Sequence, residues 1–220
     1  MKDFKKNIYR MQTDTIVDPC CSLPDVTIGS QIWTACNLDV KTYTDGTPIP
    51  EIPGGTAWTS ATTGGFCYLG GTAGECTFGL IYNWYAVAGI YDAASLANPA
   101  LRKQLAPTGY HIPTQAEYTT LMTTLGGPSV AGGPLKQVGT TYWQAPNTGA
   151  TNSTGFTALA GAIRDGSGIG QYNSGIGGWW LSNEYDAANG VISQLFQNSA
   201  STSMSVKIKT TGCAIRLIKD

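Results

Sequence analysis

The sequence predicts an α+β domain with paired N- and C-terminal strands, one well-capped helix at about 115–125 and long loops. Three observations carry this. Short alternating segments lie near both ends, "DVTIGSQIWTACNLDV" and "SMSVKIKTTGCAIRLIKD", and alternation is the mark of a half-buried strand. The stretch "GYHIPTQAEYTTLMTTLGG" instead places its apolar residues at helical spacing. Most of the remainder is Gly, Asn, Ser and Thr without long periodic runs, which is loop composition.

The bulk numbers exclude several classes. Charged residues are 12% of the 220-residue chain, about half the usual share, and the net charge is −1. No basic stripe with interleaved aromatics is present, so no nucleic-acid partner is expected. No apolar run approaches the roughly 20 residues of a membrane span, so no membrane insertion is expected. The opening "MKDFKKNIYRMQTDTIVDPCC" is basic but lacks an apolar h-region, so it does not read as a secretory signal. Residues 1–24 read instead as an N-terminal anchoring arm, and 25–220 as the domain. Within the arm, Phe4, Ile8, Tyr9 and Met11 are the apolar anchors expected to hold a partner.

The elements follow in order. Asp25 to Val40 reads as two strands around a Gly29-Ser30 turn. "KTYTDGTPIPEIPGG" is loop and turn, with Asp45-Gly46 and three prolines. Cys67 and Cys76 flank a plausible hairpin loop, and either a disulfide or two buried thiols fits them. Phe78 to Gly89 is apolar and aromatic, and either a short helix or a buried strand fits it. At Thr114 the hydroxyl accepts from the Glu117 amide while the Glu117 carboxylate reaches back, a capping box. Tyr118, Leu121, Met122 and Leu125 then form the apolar face, and Gly126-Gly127 supplies a left-handed stop. The C-terminal strands flank Thr211-Gly212, with Val206 and Ile208 on one face. The last strand is expected to close against the N-terminal hairpin.

Six segments in order, "IGSQIWTACNLDVKTYTDGTPIPEI", "YNWYAVAG", "LAPTGYHIPTQAEYTTLMTTLGG", "YWQAPNTGATNSTGFTALAGAIRDG", "GGWWLSNEY" and "GCAIRLIKD", resemble the FISUMP domain, the major paralogous domain of Fibrobacter succinogenes. The resemblance covers about Val26 to Asp220 and implies a surface or secreted adhesive role with no assigned activity. "HIPTQAEYTTL" and "GGWWLSNE" with the terminal strand are also similar to the formylglycine-generating enzyme family. Both likenesses imply a C-type-lectin-like architecture.

Departures from these families narrow the reading. The formylglycine enzymes use a reactive cysteine pair, whereas Cys213 is the sole cysteine of the C-terminal half. Calcium-dependent lectins use Glu-Pro-Asn and Trp-Asn-Asp, whereas this chain has "APN" (Ala145 to Asn147) and "WLSNE". No metal and no cofactor are therefore expected. In the terminal family strand Cys213 stands for a Phe and Leu217 for a Cys, which removes a disulfide ending at 217. The stretch before that strand keeps a single aromatic, Phe196.

No nucleophile constellation emerges. His111 is the sole histidine, no G-x-S-x-G elbow is present, and no glycine run has a Walker lysine. His111 reads as a hydrogen-bonded structural residue, and Arg164-Asp165 and Arg216-Asp220 as structural pairs. Trp33, Trp84, Tyr85 and Trp143 read as core. Trp179 and Trp180 alternate in a strand, which either points one ring inward and one outward or, where both faces are covered, buries both. An outward Trp180 or Tyr185 beside Asn183 and Glu184 would make a sugar platform. Ser182 to Lys207 is short of large apolar residues, so Asn183, Glu184, Tyr185, Gln194, Gln197 and Asn198 are placed on an exposed, loop-built recognition surface.

The function expected is therefore non-enzymatic. The chain reads as a virion structural protein, of capsid, tail fibre or decoration type, from a bacteriophage. It would sit on the virion surface in a homo-oligomeric or multicopy assembly. Its arm would bind other virion proteins, and its domain a host surface glycan or protein. The second reading is an exported cell-surface adhesin, which an upstream h-region would favour. The third is a formylglycine-generating-type enzyme, which copper- and oxygen-dependent turnover would favour.

Overall fold

The computed structural model describes residues 22–69, 76–161, 163–164, 170–171 and 174–220. Phe4, Ile8, Tyr9 and Met11 of the arm, and Asp165, lie outside the described residues. The strands are β1 (Val26–Ile28), β2 (Gln31–Trp33), β3 (Phe66–Tyr68), β4 (Leu80–Asn83), β5 (Tyr110–His111), β6 (Ile163–Arg164), β7 (Gly170–Gln171), β8 (Ile176–Glu184), β9 (Asn189–Phe196), β10 (Thr202–Ile208), β11 (Gly212–Cys213) and β12 (Ile218–Lys219). The α-helices are α1 (Gly55–Thr59), α2 (Trp84–Val87), α3 (Ala93–Ala97), α4 (Gln115–Thr124) and α5 (Gly132–Leu135). The architecture is mixed α+β with antiparallel pairing between the strands of each sheet.

Three sheets run in the orders β1-β2-β12-β5, β10-β9-β8 and β3-β4-β11-β6-β7. The first joins the ends of the domain: β12 pairs with β2 through Ile218 and Trp33. The expected hairpin is β1–β2, turning on Gly29 at φ 62°. The Phe78 to Gly89 segment is both alternatives at once. Leu80–Asn83 is a strand with every residue buried, and the Asn83 side chain then accepts from the Ala86 amide and starts α2.

Helix α4 has the expected cap. The Glu117 amide donates to the Thr114 hydroxyl at 3.2 Å, and the Thr114 amide donates to the Glu117 carboxylate at 2.7 Å. It stops at left-handed Gly126 and Gly127, and the Gly127 amide returns to the Met122 carbonyl at 2.8 Å. Tyr118, Leu121 and Met122 pack with Trp179, Val191 and Leu195 on one face of the β8–β10 sheet. Trp180 and Ile192, on the other face, pack with Leu80, Tyr82, Trp84 and Leu217.

That sandwiching settles the tryptophan pair: both rings are buried, and the outward platform is excluded. β8 is covered on both faces, so alternation points both rings into core. Trp179 donates to the Asn37 side-chain oxygen and Trp180 to the Tyr82 carbonyl, at 2.9 and 2.8 Å. Trp180 is 0% exposed and is not a ligand platform.

Ser182 to Lys207 is also not a loop surface. It is most of a meander of long strands, and its polar side chains are satisfied within the sheet. Thr202 donates to the Gln194 carbonyl at 2.9 Å, Ser205 donates to the Gln194 side-chain oxygen at 2.6 Å, and the Tyr118 and Thr202 hydroxyls bond each other. Gln194 is therefore buried. Small polar residues that bond across strands need no solvent.

The expected pair Arg216-Asp220 is replaced by other partners. Arg216 is buried and donates to Asn37 Oδ1 and to the carbonyls of Thr34, Phe156 and Thr157. Asp220 accepts instead from the His111 ring. Cys67 is a free, buried thiol, pushed up to about 11 by burial, which removes the Cys67–Cys76 disulfide alternative. Cys36, not singled out in the sequence, is disulfide-bonded.

Candidate functional site

The residues placed on one surface by the sequence lie at opposite ends of β9. Glu184 and Tyr185 sit at the β8–β9 turn, Gln197 and Asn198 just beyond Phe196 at the other end. An eight-residue strand separates the two ends by roughly 25 Å. Asn183, half-buried, accepts from the Gln115 amide at 2.6 Å and so fixes the start of α4. Glu184 accepts from Lys209 at 2.5 Å. Tyr185 is 63% exposed, and the turn is held by Asp186, whose carboxylate accepts from the Ala188 and Asn189 amides.

The Gln197 end is the more elaborate. Here α5 meets two loops, and glycine makes the meeting possible. A Cβ on Gly132 would collide with the Ser201 carbonyl, and one on Gly133 with the Gly149 carbonyl. The backbones are then cross-linked: Gly133 amide to Ala200 carbonyl at 3.1 Å, Thr151 amide to Gly133 carbonyl at 3.0 Å, Thr148 amide to Gln197 carbonyl at 2.7 Å.

Lys136 follows α5 and turns inward to complete burial. Its ammonium donates to the carbonyls of Thr148, Phe196 and Ser199 at 2.8, 2.9 and 2.8 Å. It lies 5.4 Å from the centre of the Trp143 ring. Burial lowers Lys136 to about 8, and the three carbonyl acceptors favour the charged form. One side chain thus ties the 144–151 loop to the β9–β10 turn.

Asn147 sits beside this cage in the left-handed region at φ 47°. Its amide nitrogen donates to the Gln137 and Gly139 carbonyls at 2.9 and 2.7 Å. Its Oδ1 and the Oε1 of Gln197 are buried acceptors without a partner among the described residues. Gln144, Thr148, Thr151, Ser153 and Asn198 are exposed on the outside of these loops.

Residues 137–161 and 187–206 contain no Asp, Glu, Lys, Arg or His. The loop face is therefore polar but uncharged, and the cation that organises it is hidden. Sequence reading missed Lys136, because nothing marks an ammonium after "GGPL" as buried. The local signal is the glycine pair, which permits the close backbone approach.

The sole histidine is elsewhere. His111 Nε2 bonds Glu117 at 2.7 Å, and Nδ1 bonds Asp220 at 2.6 Å. Both ring nitrogens are engaged, so His111 joins β5, α4 and the chain end, as a structural histidine should. Among the described residues no group of three or more His, Cys, Asp or Glu is placed to hold a metal. Among them also, no helix is long and apolar enough to cross a membrane.

The description of the Fibrobacter succinogenes major domain matches residues 26–219. The chain belongs to that family. The FISUMP likeness of the six sequence segments is thus a membership, and it spans all the sheets described above. No curated protein and no solved structure matches the chain.

Proposed function

We propose that this Fibrobacter succinogenes major domain is a non-catalytic binding module on a C-type-lectin-like scaffold. Its loop face around Lys136 would take a neutral, hydroxyl-rich ligand such as a host surface glycan. The observation that carries this is the absence of Asp, Glu, Lys, Arg and His from both segments that build the face. Amide and hydroxyl groups on an ordered backbone can exchange hydrogen bonds with sugar hydroxyls. A face without lysine, arginine or histidine offers little to a polyanion, and without carboxylates or histidine it lacks the commonest general acids and bases. Recognition on loops carried by a rigid scaffold is the usual arrangement.

The carrier in this proposal is a virion, with residues 1–24 as the anchor to other virion proteins and many copies adding avidity. An exported cell-surface adhesin would use the same face.

The test is a glycan-array and host-cell binding assay on a multivalent display. It compares wild type with Asn198→Ala plus Gln144→Ala, and separately with Tyr185→Ala. Loss of binding in the loop variant alone is expected. Loss in Tyr185→Ala alone would move the site to the β8–β9 turn, and binding only to charged glycans would defeat the neutral-ligand reading.

A further inference from the structure

We propose that the Cys36 disulfide staples the N-terminal segment to the domain through Cys20 or Cys21, and passes tension on that segment around β1 into the core. Cys36 is disulfide-bonded, whereas Cys67 and Cys213 are free, buried thiols. The remaining cysteines of the chain are Cys20, Cys21 and Cys76, so the mate is one of these three. Cys20 and Cys21 lie outside the described residues.

The position of the sulfur favours the adjacent pair. Cys36 is half-buried, and its Sγ lies 3.8 Å from the Leu23 carbonyl oxygen. Leu23 is two positions from Cys21 and three from Cys20. At about 3.5 Å of chain per residue, both can meet the Cα separation of about 4.4–6.8 Å that a disulfide needs. On the side of Cys76 the contact is made by a different side chain. Asn37 turns inward and donates to the Phe78 carbonyl at 2.8 Å.

What the bond does follows from the fold. β1 is three residues long and outermost in its sheet, with β2 as its strand neighbour. A pull on the chain before β1 would therefore unzip it from β2. A bond to Cys36 bypasses that edge, because the chain just beyond Cys36 is fixed to the interior. Asn37 accepts from Trp179 at 2.9 Å and from Arg216 at 2.6 Å, and the Leu38 amide donates to the Ile215 carbonyl at 2.9 Å. The staple closes a loop of about 15 residues that holds the whole β1–β2 hairpin.

Closure is a thiol–disulfide exchange. The two thiols give up two protons and two electrons to a small disulfide of an oxidising medium, which leaves as two thiols. Cys67 and Cys213 stay out of the exchange, because burial holds both as protonated thiols. The staple is thus open in a reducing cytoplasm and closed outside it. On the reading of residues 1–24 as an anchor, the anchor becomes firm only outside the cell.

The experiment uses the full chain, purified without reductant. Trypsin leaves Cys20, Cys21 and Cys36 together in peptide 11–41 and Cys76 in peptide 42–102. The expected product is peptide 11–41 unattached and lighter than its reduced form by two hydrogens, with its halves still joined after chymotryptic cleavage at Trp33. Peptide 11–41 linked to 42–102, separated halves, or Cys36 recovered as a thiol overturns the proposal. Pulled by its two ends in an optical trap, the reduced chain should show an early low-force step as β1 detaches. The oxidised chain should lack that step and should extend less on full unfolding, by roughly 50 Å. The same early step in both states, or in wild type and Cys36→Ser alike under oxidising conditions, refutes the bypass. Failure of the anchor reading would show separately, as unchanged assembly after deletion of residues 1–19.

Discussion

Replacing Lys136 by Met keeps the length of the side chain and removes the ammonium. The carbonyls of Thr148, Phe196 and Ser199 would then be left without their donor. A buried acceptor without a partner costs about 1–3 kcal/mol, so three of them set a ceiling of about 9 kcal/mol. Two effects lower that figure. Removing a buried ammonium also removes its own desolvation cost of several kcal/mol, and the loop carbonyls can turn toward water. A net loss of about 2–4 kcal/mol is expected, a large part of a typical 5–15 kcal/mol total. Urea unfolding followed by tryptophan fluorescence measures it, because Trp143 lies beside the ammonium. Amide exchange at Thr148 and Thr151 should quicken in the variant more than exchange in α4. A loss below about 0.5 kcal/mol, the scale of an ordinary surface change, with unchanged loop exchange, would refute the reading that this cation orders the face.

The same residue gives a pH dependence with a fixed sign. Its folded value, about 8, lies below the ordinary 10.5. Between those values the unfolded chain binds more protons, so wild-type stability should rise with pH across that window. Lys136→Met should lack that rise, and a flat wild-type profile would count against burial of the charge.

Two further outcomes are expected. Thr114→Ala removes the α4 cap and should cost about 1 kcal/mol, read as a lower Tm, with glycan binding unchanged at temperatures where the domain is folded. Burial works against the charged form of His111, but hydrogen bonds to Asp220 and Glu117 outweigh it and raise its pKa. The contribution of this clasp is therefore complete below the ordinary 6.5 and lost as pH rises through the raised folded value. An NMR titration of the single histidine with a midpoint at or below 6.5 would contradict that, as would an unchanged pH profile of Tm in His111→Gln.

What the sequence made legible is what depends on neighbours along the chain. Thr114 and Glu117 lie three apart and cap the same turn, so the helix start could be read directly. Gly29 and the alternation around it gave the first hairpin. The role of Trp180 was not legible, because alternation says which residues share a face but not whether another sheet covers that face. Leu80 and Tyr82 cover Trp180, and they lie about a hundred positions earlier. Gln194 failed for a related reason. Its bonding partners, Ser205 and Thr202, come from the next strand, so a run of polar residues that looked solvated satisfies itself. Asn198 is exposed as expected, but Gln197 is half-buried with its Oε1 inside, and their neighbours at 144–151 come from a separate loop tied in by Lys136.

The buried cations give a physical reason why so uncharged a surface can be ordered. Irregular backbone carries carbonyls that no ladder satisfies, and each must find a donor. Carbonyls that face inward cannot rely on bulk water for it. The chain uses its own donors instead. Lys136 gathers three carbonyls from the loop face, and Arg216 gathers those of Thr34, Phe156 and Thr157 where the terminal strand crosses the β1–β2 hairpin. Lys209 does the same on a smaller scale, donating to the Ala187 carbonyl at 2.8 Å beneath the β8–β9 turn. In each case the charge is inside and the loop it orders is outside. Residues on the outer side of such a loop, Asn198 and Gln144 among them, can change without disturbing the donor that holds the backbone. Under the proposed function, those outer side chains would set ligand preference while the buried donors hold the scaffold.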